Sequence, residues 1–179
     1  MKLPINIIFL IIMAVTAFGQ KTIEPLKQTI TFKVDQLGNS EVEAGMQLNA
    51  SQWDYFKRNI GSNVSILKRD MERALPTMFL KDFRYEEQAM ERRYILKFKA
   101  LGVAKLKERN KWVVDLESKN PDITPLSDNA YLMTSNLLMN GGLIQQTIKV
   151  FLPDEAKNIT IEKDSFGTAL FVYQLNNGL

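Results

Sequence analysis

Ser65-Ile66-Leu67-Lys68 and Ser127-Asp128-Asn129 are the two short patterns in this 179-residue chain whose residue types could do covalent chemistry. A serine and a lysine three residues apart share one side of a helix, where the amine can take the hydroxyl proton of a nucleophile. Together with a Ser-Asp-Asn triplet they make two of the three motifs of penicillin-recognising enzymes. The third, Lys-Thr-Gly on a strand, is missing: the nearest pattern is Lys21-Thr22-Ile23, close to the N-terminus. A chain of this length also lacks room for the two-lobed body of those enzymes, so both matches read as chance and Ser65 and Lys68 as the solvent side of a helix. Glu86-Glu87 and Glu91 could form an acid/base pair, but they fall in a polar turn with no apolar pocket to raise one pKa. Asp128-Asn129 could ligate calcium, yet no loop carries the acidic spacing of a recognised calcium site.

Composition narrows the chemistry further. The chain has no histidine and no cysteine, which excludes the Ser-His-Asp triad, cysteine-histidine nucleophiles and histidine-based zinc sites. The expectation is a non-enzymatic protein that needs no cofactor and no metal.

Charge is distributed more informatively. Residues 57–111 hold 15 Lys/Arg against 7 Asp/Glu, whereas residues 112–179 hold 4 against 8. Within the basic third, Arg92, Arg93, Lys97 and Lys99 are followed by Lys105, Lys107, Arg109 and Lys111. Arg93, Lys97 and Lys99 alternate with Tyr94, Leu96, Phe98 and Ala100, so they share one strand face with apolar residues on the other. These eight cations are the candidate ligand-binding residues. Two readings stay open: the solvated face of an antiparallel sheet, or a surface for an anion.

The elements that must position them follow from periodicity. Ile30, Phe32 and Val34 oppose Thr29, Thr31 and Lys33, and after the turn Gln36-Leu37-Gly38-Asn39 the same period recurs at Val42, Ala44, Met46 and Leu48, predicting a hairpin. Trp53, Phe56, Ile60, Val64, Leu67, Met71 and Leu75 are spaced by threes and fours and form an apolar helical stripe. Ser51 can cap it, Gly61-Ser62-Asn63 interrupts it, giving two helices or one bent helix, and Pro76 ends it. Strands are expected at Phe79–Tyr85, Tyr94–Ala100, Lys111–Leu116, Tyr131–Met139, Leu143–Leu152, Ile159–Ile161 and Thr168–Leu175. Leu101 to Asn110 reads as a helical turn or a crossover loop, Asn120 to Asn129 as a linker and Asn140-Gly141-Gly142 as a hairpin turn. The expected fold class is α+β: an antiparallel sheet of hairpins with a pair of amphipathic helices packed on one face.

The N-terminus, MKLPINIIFLIIMAVTAFGQK, has one early cation, an apolar run and small residues at Ala17 and Gly19. It reads as a secretory signal peptide, residues 1–19, followed by a single exported domain, residues 20–179. The apolar run is shorter than the roughly 20 residues a spanning helix needs, and no second long run follows, so no transmembrane body is expected. Export without cysteine favours a bacterial periplasm or medium over a disulfide-rich extracellular setting. Three sequons, at Asn49, Asn63 and Asn158, would matter only in a eukaryotic secretory route.

The stretches ITFKVDQLGNSEVEAGMQLNASQWDYF and IKVFLPDEAKNITIEKDSFGTALFVYQL, with Val34-Asp35-Gln36-Leu37-Gly38 at a turn and Val150-Phe151-Leu152-Pro153 before a closing strand pair, resemble the LppM-type domain of exported bacterial envelope proteins. The resemblance implies an envelope-associated, non-enzymatic module with lipid or glycolipid ligands. Members often carry a lipidated cysteine and a C-terminal membrane helix, and this chain is expected to be a freely exported version. The partner expected is an anionic lipid, glycolipid or other envelope component on the basic face. The alternatives are a structural or assembly role with an acidic protein partner or a second copy, and a small Ser-Lys or carboxylate hydrolase. Nucleic acid is not expected in an exported protein of small net charge. Were there an apolar lipid pocket, Met46, Met71, Met78 and Met90 would be the adaptable side chains to line it.

Overall fold

The computed structural model describes residues 25–61, 63–107, 110–139 and 142–175. Strands make up 61% of these residues, so the protein is mostly β with two helices rather than a balanced α+β fold. The chain runs β1 (Leu26–Val34), β2 (Ser40–Gln47), α1 (Ala50–Asn59), α2 (Val64–Ala74), β3 (Phe79–Gln88), β4 (Arg93–Leu101), β5 (Ala104–Leu106), β6 (Lys111–Lys119), β7 (Asp122–Ser127), β8 (Ala130–Met139), β9 (Gly142–Phe151), β10 (Ala156–Lys163) and β11 (Thr168–Leu175). The strands form two sheets, one of order β3-β4-β2-β1-β9-β8-β7 and one of order β10-β11-β6-β5.

The larger sheet is mixed, which corrects the expectation of one antiparallel sheet. Two antiparallel runs meet at a parallel seam between β1 and β9. At that seam Gln28 and Gln146 stand side by side, both buried, and the Gln146 amide donates to the Gln28 carbonyl at 2.7 Å. Ser135 Oγ on β8 donates to Gln146 Oε1 at 3.3 Å, so the polar atoms buried there serve one another.

Local chemistry accounts for the element ends. In the β1–β2 turn the Asp35 carboxylate accepts from the Leu37 and Asn39 amides, each at 2.9 Å. Gly38 sits at φ +79, and a Cβ there would lie 2.6 Å from the Ala104 carbonyl oxygen. Asn49, not Ser51, caps α1: its side chain accepts from the Gln52 amide while Gln52 reaches back to the Asn49 amide, a capping box. Ser51 instead donates its hydroxyl to Asn49 Oδ1. Asn63 caps α2, so the helical stripe is two helices; Ser62, in the break, lies outside the described residues. Leu75 is the C-cap of α2 and Pro76 follows it.

Two other segments differ from expectation. The presumed linker is β7, an edge strand, the place in a sheet where a proline such as Pro125 is tolerated. The stretch from Leu101 to Asn110 contains β5, a three-residue edge strand of the smaller sheet. The turn expected at Asn140-Gly141-Gly142 and the signal segment 1–19 fall outside the described residues, apart from Gly142, which opens β9.

One core cluster joins everything. It takes Ile30, Phe32, Val42, Leu96 and Ile148 from the inner face of the larger sheet, Phe171 and Tyr173 from the smaller sheet, and Phe56, Leu67 and Met71 from the helices. Phe56 stacks on Tyr94 of β4 at 4.5 Å between ring centroids, and Tyr131 of β8 meets Phe171 of β11 at 5.2 Å. Among the described residues no helix is long and apolar enough to cross a membrane.

Candidate functional site

The side of the larger sheet that carries Lys97 and Lys99 is set by cross-strand register. One row runs Lys81, Lys99, Glu41, Lys33 and Phe151 across β3, β4, β2, β1 and β9. The next runs Arg84, Lys97, Glu43, Thr31 and Lys149 across the same strands. Side chains directly opposite on neighbouring strands stand about 5 Å apart at Cβ, so each row is a continuous line of contacts. Between Lys81 and Arg84 the register shifts, with Asp82 at φ +53. Such a bulge bends and twists its strand. The face is concave here, with a cavity of about 670 Å³ lined by Lys33, Arg84, Lys97, Lys99 and Lys149, by Glu41, Glu43 and Asp82, and by Thr31, Val42, Phe98 and Phe151.

Five cations against three carboxylates leave the lining net positive, and the pairing is uneven. Lys97 Nζ lies 2.8 Å from Glu86 and 4.0 Å from Glu43, and the Glu86 hydrogen bond, ahead of the smaller pull of nearby carboxylates, raises its pKa above the ordinary lysine value. Lys99 lies 4.0 Å from Asp82. Among the described residues Lys33, Arg84 and Lys149 have no carboxylate within 4.0 Å. A lining of this kind can hold an anion by charge and by N–H donors, with Phe151 as an apolar wall.

The eight cations read from the sequence do not share one surface. Lys97 and Lys99 line the cavity. Arg93 lies on the same face but reaches across Gly45 of β2 to donate to Thr29 Oγ1 at 3.1 Å, where a Cβ on residue 45 would come within 2.7 Å of the guanidinium. Arg92 is exposed at φ 49 in the turn after a single 3-10 turn, Ala89–Glu91, and its carbonyl accepts from the Leu48 amide. Lys105 belongs to β5 of the smaller sheet and Lys107 follows it; both are exposed. Lys111 opens β6 and pairs with Glu162 at 3.1 Å. Arg109 lies outside the described residues.

Lys33, Arg84 and Lys149 were missed as site residues. Each falls on the polar side of its strand's alternation, which the sequence shows. What sets them on one face is the strand order β3-β4-β2-β1-β9, in which β1 pairs with β9 from more than 100 residues away, and period-two patterning carries no signal of that order.

The other candidates resolve locally. Ser65 and Lys68 are both exposed on α2, and Lys68 pairs with Glu72 at 3.7 Å rather than with the serine. Ser127 donates to Asn129 Oδ1, while the Asn129 amide donates to the Leu152 carbonyl and to Asp154, tying the β7–β8 turn to the end of β9. Glu86 and Glu87 lie on β3, not in a turn; hydrogen bonding from Lys57 is the main cause that lowers the Glu87 pKa, the opposite of what a general acid needs. Met46 and Met71 are core, Met78 is half-buried and Met90 is fully exposed, so the four line no common cavity. Among the described residues no cluster of His, Cys, Asp or Glu could hold a metal ion.

Compared with protein-family models, curated proteins and solved structures, the chain matches none.

Proposed function

We propose that this is an exported, non-catalytic envelope protein of the LppM type that binds an anionic lipid or glycolipid through the concave outer face of its larger sheet. The observation that carries the reading is the set of three cations, Lys33, Arg84 and Lys149, that line this cavity and have no carboxylate within 4.0 Å among the described residues. Isolated salt-bridged cations on a sheet face are what solvation alone produces. Lys33, Arg84 and Lys149, from β1, β3 and β9, leave the lining with more positive than negative charge, which favours an anion there. The helix pair covers part of the inner face in this reading, which leaves the outer face to the ligand. The signal-like N-terminus supports export, and in a cell envelope anionic lipid headgroups and lipoglycans are the anions at hand.

The test is flotation of residues 20–179, which include every described element, with phosphatidylcholine vesicles containing or lacking phosphatidylglycerol. Binding is expected only to the anionic vesicles, and it weakens as salt rises. A basic residue near an anionic surface contributes about 1 kcal/mol, so the triple variant Lys33→Glu, Arg84→Glu, Lys149→Glu should lose roughly a hundredfold in affinity or more. Equal binding by that variant, or no binding by the unaltered chain at any salt, rejects the reading.

A further inference from the structure

Three large apolar side chains point into solvent at one end of the molecule: Leu37 is 78% exposed, Phe79 63% and Leu106 57%. The backbone holds them together. Leu37 lies in the β1–β2 turn, whose Gly38 carbonyl accepts from the Ala104 amide and whose Asn39 side chain accepts from the Gly102 amide. Phe79 opens β3 opposite Leu101, the residue before Gly102, and Leu106 ends β5 two residues after Ala104. Cations flank two of these tips: Lys81 stands over the Phe79 ring at 5.6 Å, Lys99 lies two residues before Leu101, and Lys105 and Lys107 flank Leu106, while the Asp35 carboxylate beside Leu37 is taken up by the amides of its own turn. None of Lys81, Lys105 and Lys107 has a carboxylate within 4.0 Å among the described residues. The row Lys99, Glu41, Lys33, which lines the outer-face cavity, is the row next to this turn.

We infer that this end docks on an anionic bilayer, with Leu37, Phe79 and Leu106 entering the acyl boundary while Lys81, Lys105 and Lys107 contact lipid phosphates and the cavity opens toward the membrane. Solvent leaves three such side chains without a stabilising role. A bilayer interface supplies apolar depth for the tips and negative charge for the amines beside Phe79 and Leu106, a combination that neither a neutral surface nor a purely polar polyanion offers. The inference rests on the lipid reading above and adds to it an orientation and a set of inserting residues.

The absence of cysteine makes the test direct. Single variants Leu37→Cys and Phe79→Cys, with Met90→Cys in the β3–β4 turn at the other end of those strands, are labelled with an environment-sensitive fluorophore and mixed with phosphatidylglycerol-containing vesicles carrying brominated acyl chains. Labels at 37 and 79 are expected to shift to the blue and be quenched, while the label at 90, whose side chain is 99% exposed, stays unchanged. The double variant Leu37→Asp, Phe79→Asp should bind at least about tenfold more weakly with an unaltered circular dichroism spectrum. Vesicle binding that persists with labels 37 and 79 unquenched overturns the orientation and leaves the lipid reading standing. Failure to bind anionic vesicles overturns both. Burial of these labels without lipid, with a doubled mass in gel filtration, overturns the inference in favour of a second copy on this end.

Discussion

At the scale of single residues, the polar side chains divide into those that hold the fold and those left for solvent or a ligand. Asp35 and Asn49 satisfy backbone amides, Gln28 and Gln146 satisfy each other, and Asn129 ties two segments together. Glu117 stands apart. It sits at φ +53 in β6, and burial, reinforced by Asp115 and opposed by Lys105, raises its pKa above the ordinary carboxylate value. A raised carboxyl pKa means the folded state disfavours the charged form, so the stability of the protonated form is fully present at acid pH and is lost as pH rises through the folded value. Glu117→Gln should therefore raise the melting temperature at pH 7, with the gain vanishing as pH falls below the ordinary carboxylate range. Thermal melts of both proteins from pH 3 to 8 check this, and an equal gain at every pH contradicts it. Tyr173 needs no such test at neutral pH: burial, with help from Asp35, pushes its hydroxyl up to about 12.

At the scale of elements, α1 shows how a short polar segment is held. Its ten residues are too few for a stable isolated helix in water, so its stability comes from the cap and from docking. Phe56, with no exposed surface, stacks on Tyr94 and lies near Tyr85, while Trp53 stacks on Phe56 at 5.7 Å. Truncating a buried phenylalanine costs about 3–5 kcal/mol, and losing an N-cap about 1 kcal/mol. Phe56→Ala should thus destabilise the protein several times more than Asn49→Ala in urea unfolding. Comparable losses would mean that the cap, not the core contact, holds α1. The cap residue itself was misplaced from sequence because Asn49 and Ser51 both have capping chemistry, and only the reciprocal bond with Gln52 distinguishes them.

At the scale of the molecule, the two sheets and two helices share one core cluster, which predicts a single cooperative unfolding transition. Far-UV circular dichroism and tryptophan fluorescence should report coincident melting curves, since Trp53 lies on α1 and Trp112 in the smaller sheet. Separated transitions would show two independent units. The strand alternations, the helical stripe and its break, and the polarity of every candidate lysine were legible from the amino-acid order, because each is a local consequence of a period of two or 3.6. The division into two sheets, the parallel seam at Gln28 and Gln146, and the strand character of Asp122–Ser127 were not, because pairing partners are chosen by contacts distant in sequence. The same physics separates the expected basic stretch from the observed cavity. Residues 92 to 111 are consecutive in the chain but cross between sheets, whereas Lys33, Arg84 and Lys149 are far apart in the chain and line one cavity because hydrogen-bonded strands set their side chains on one face.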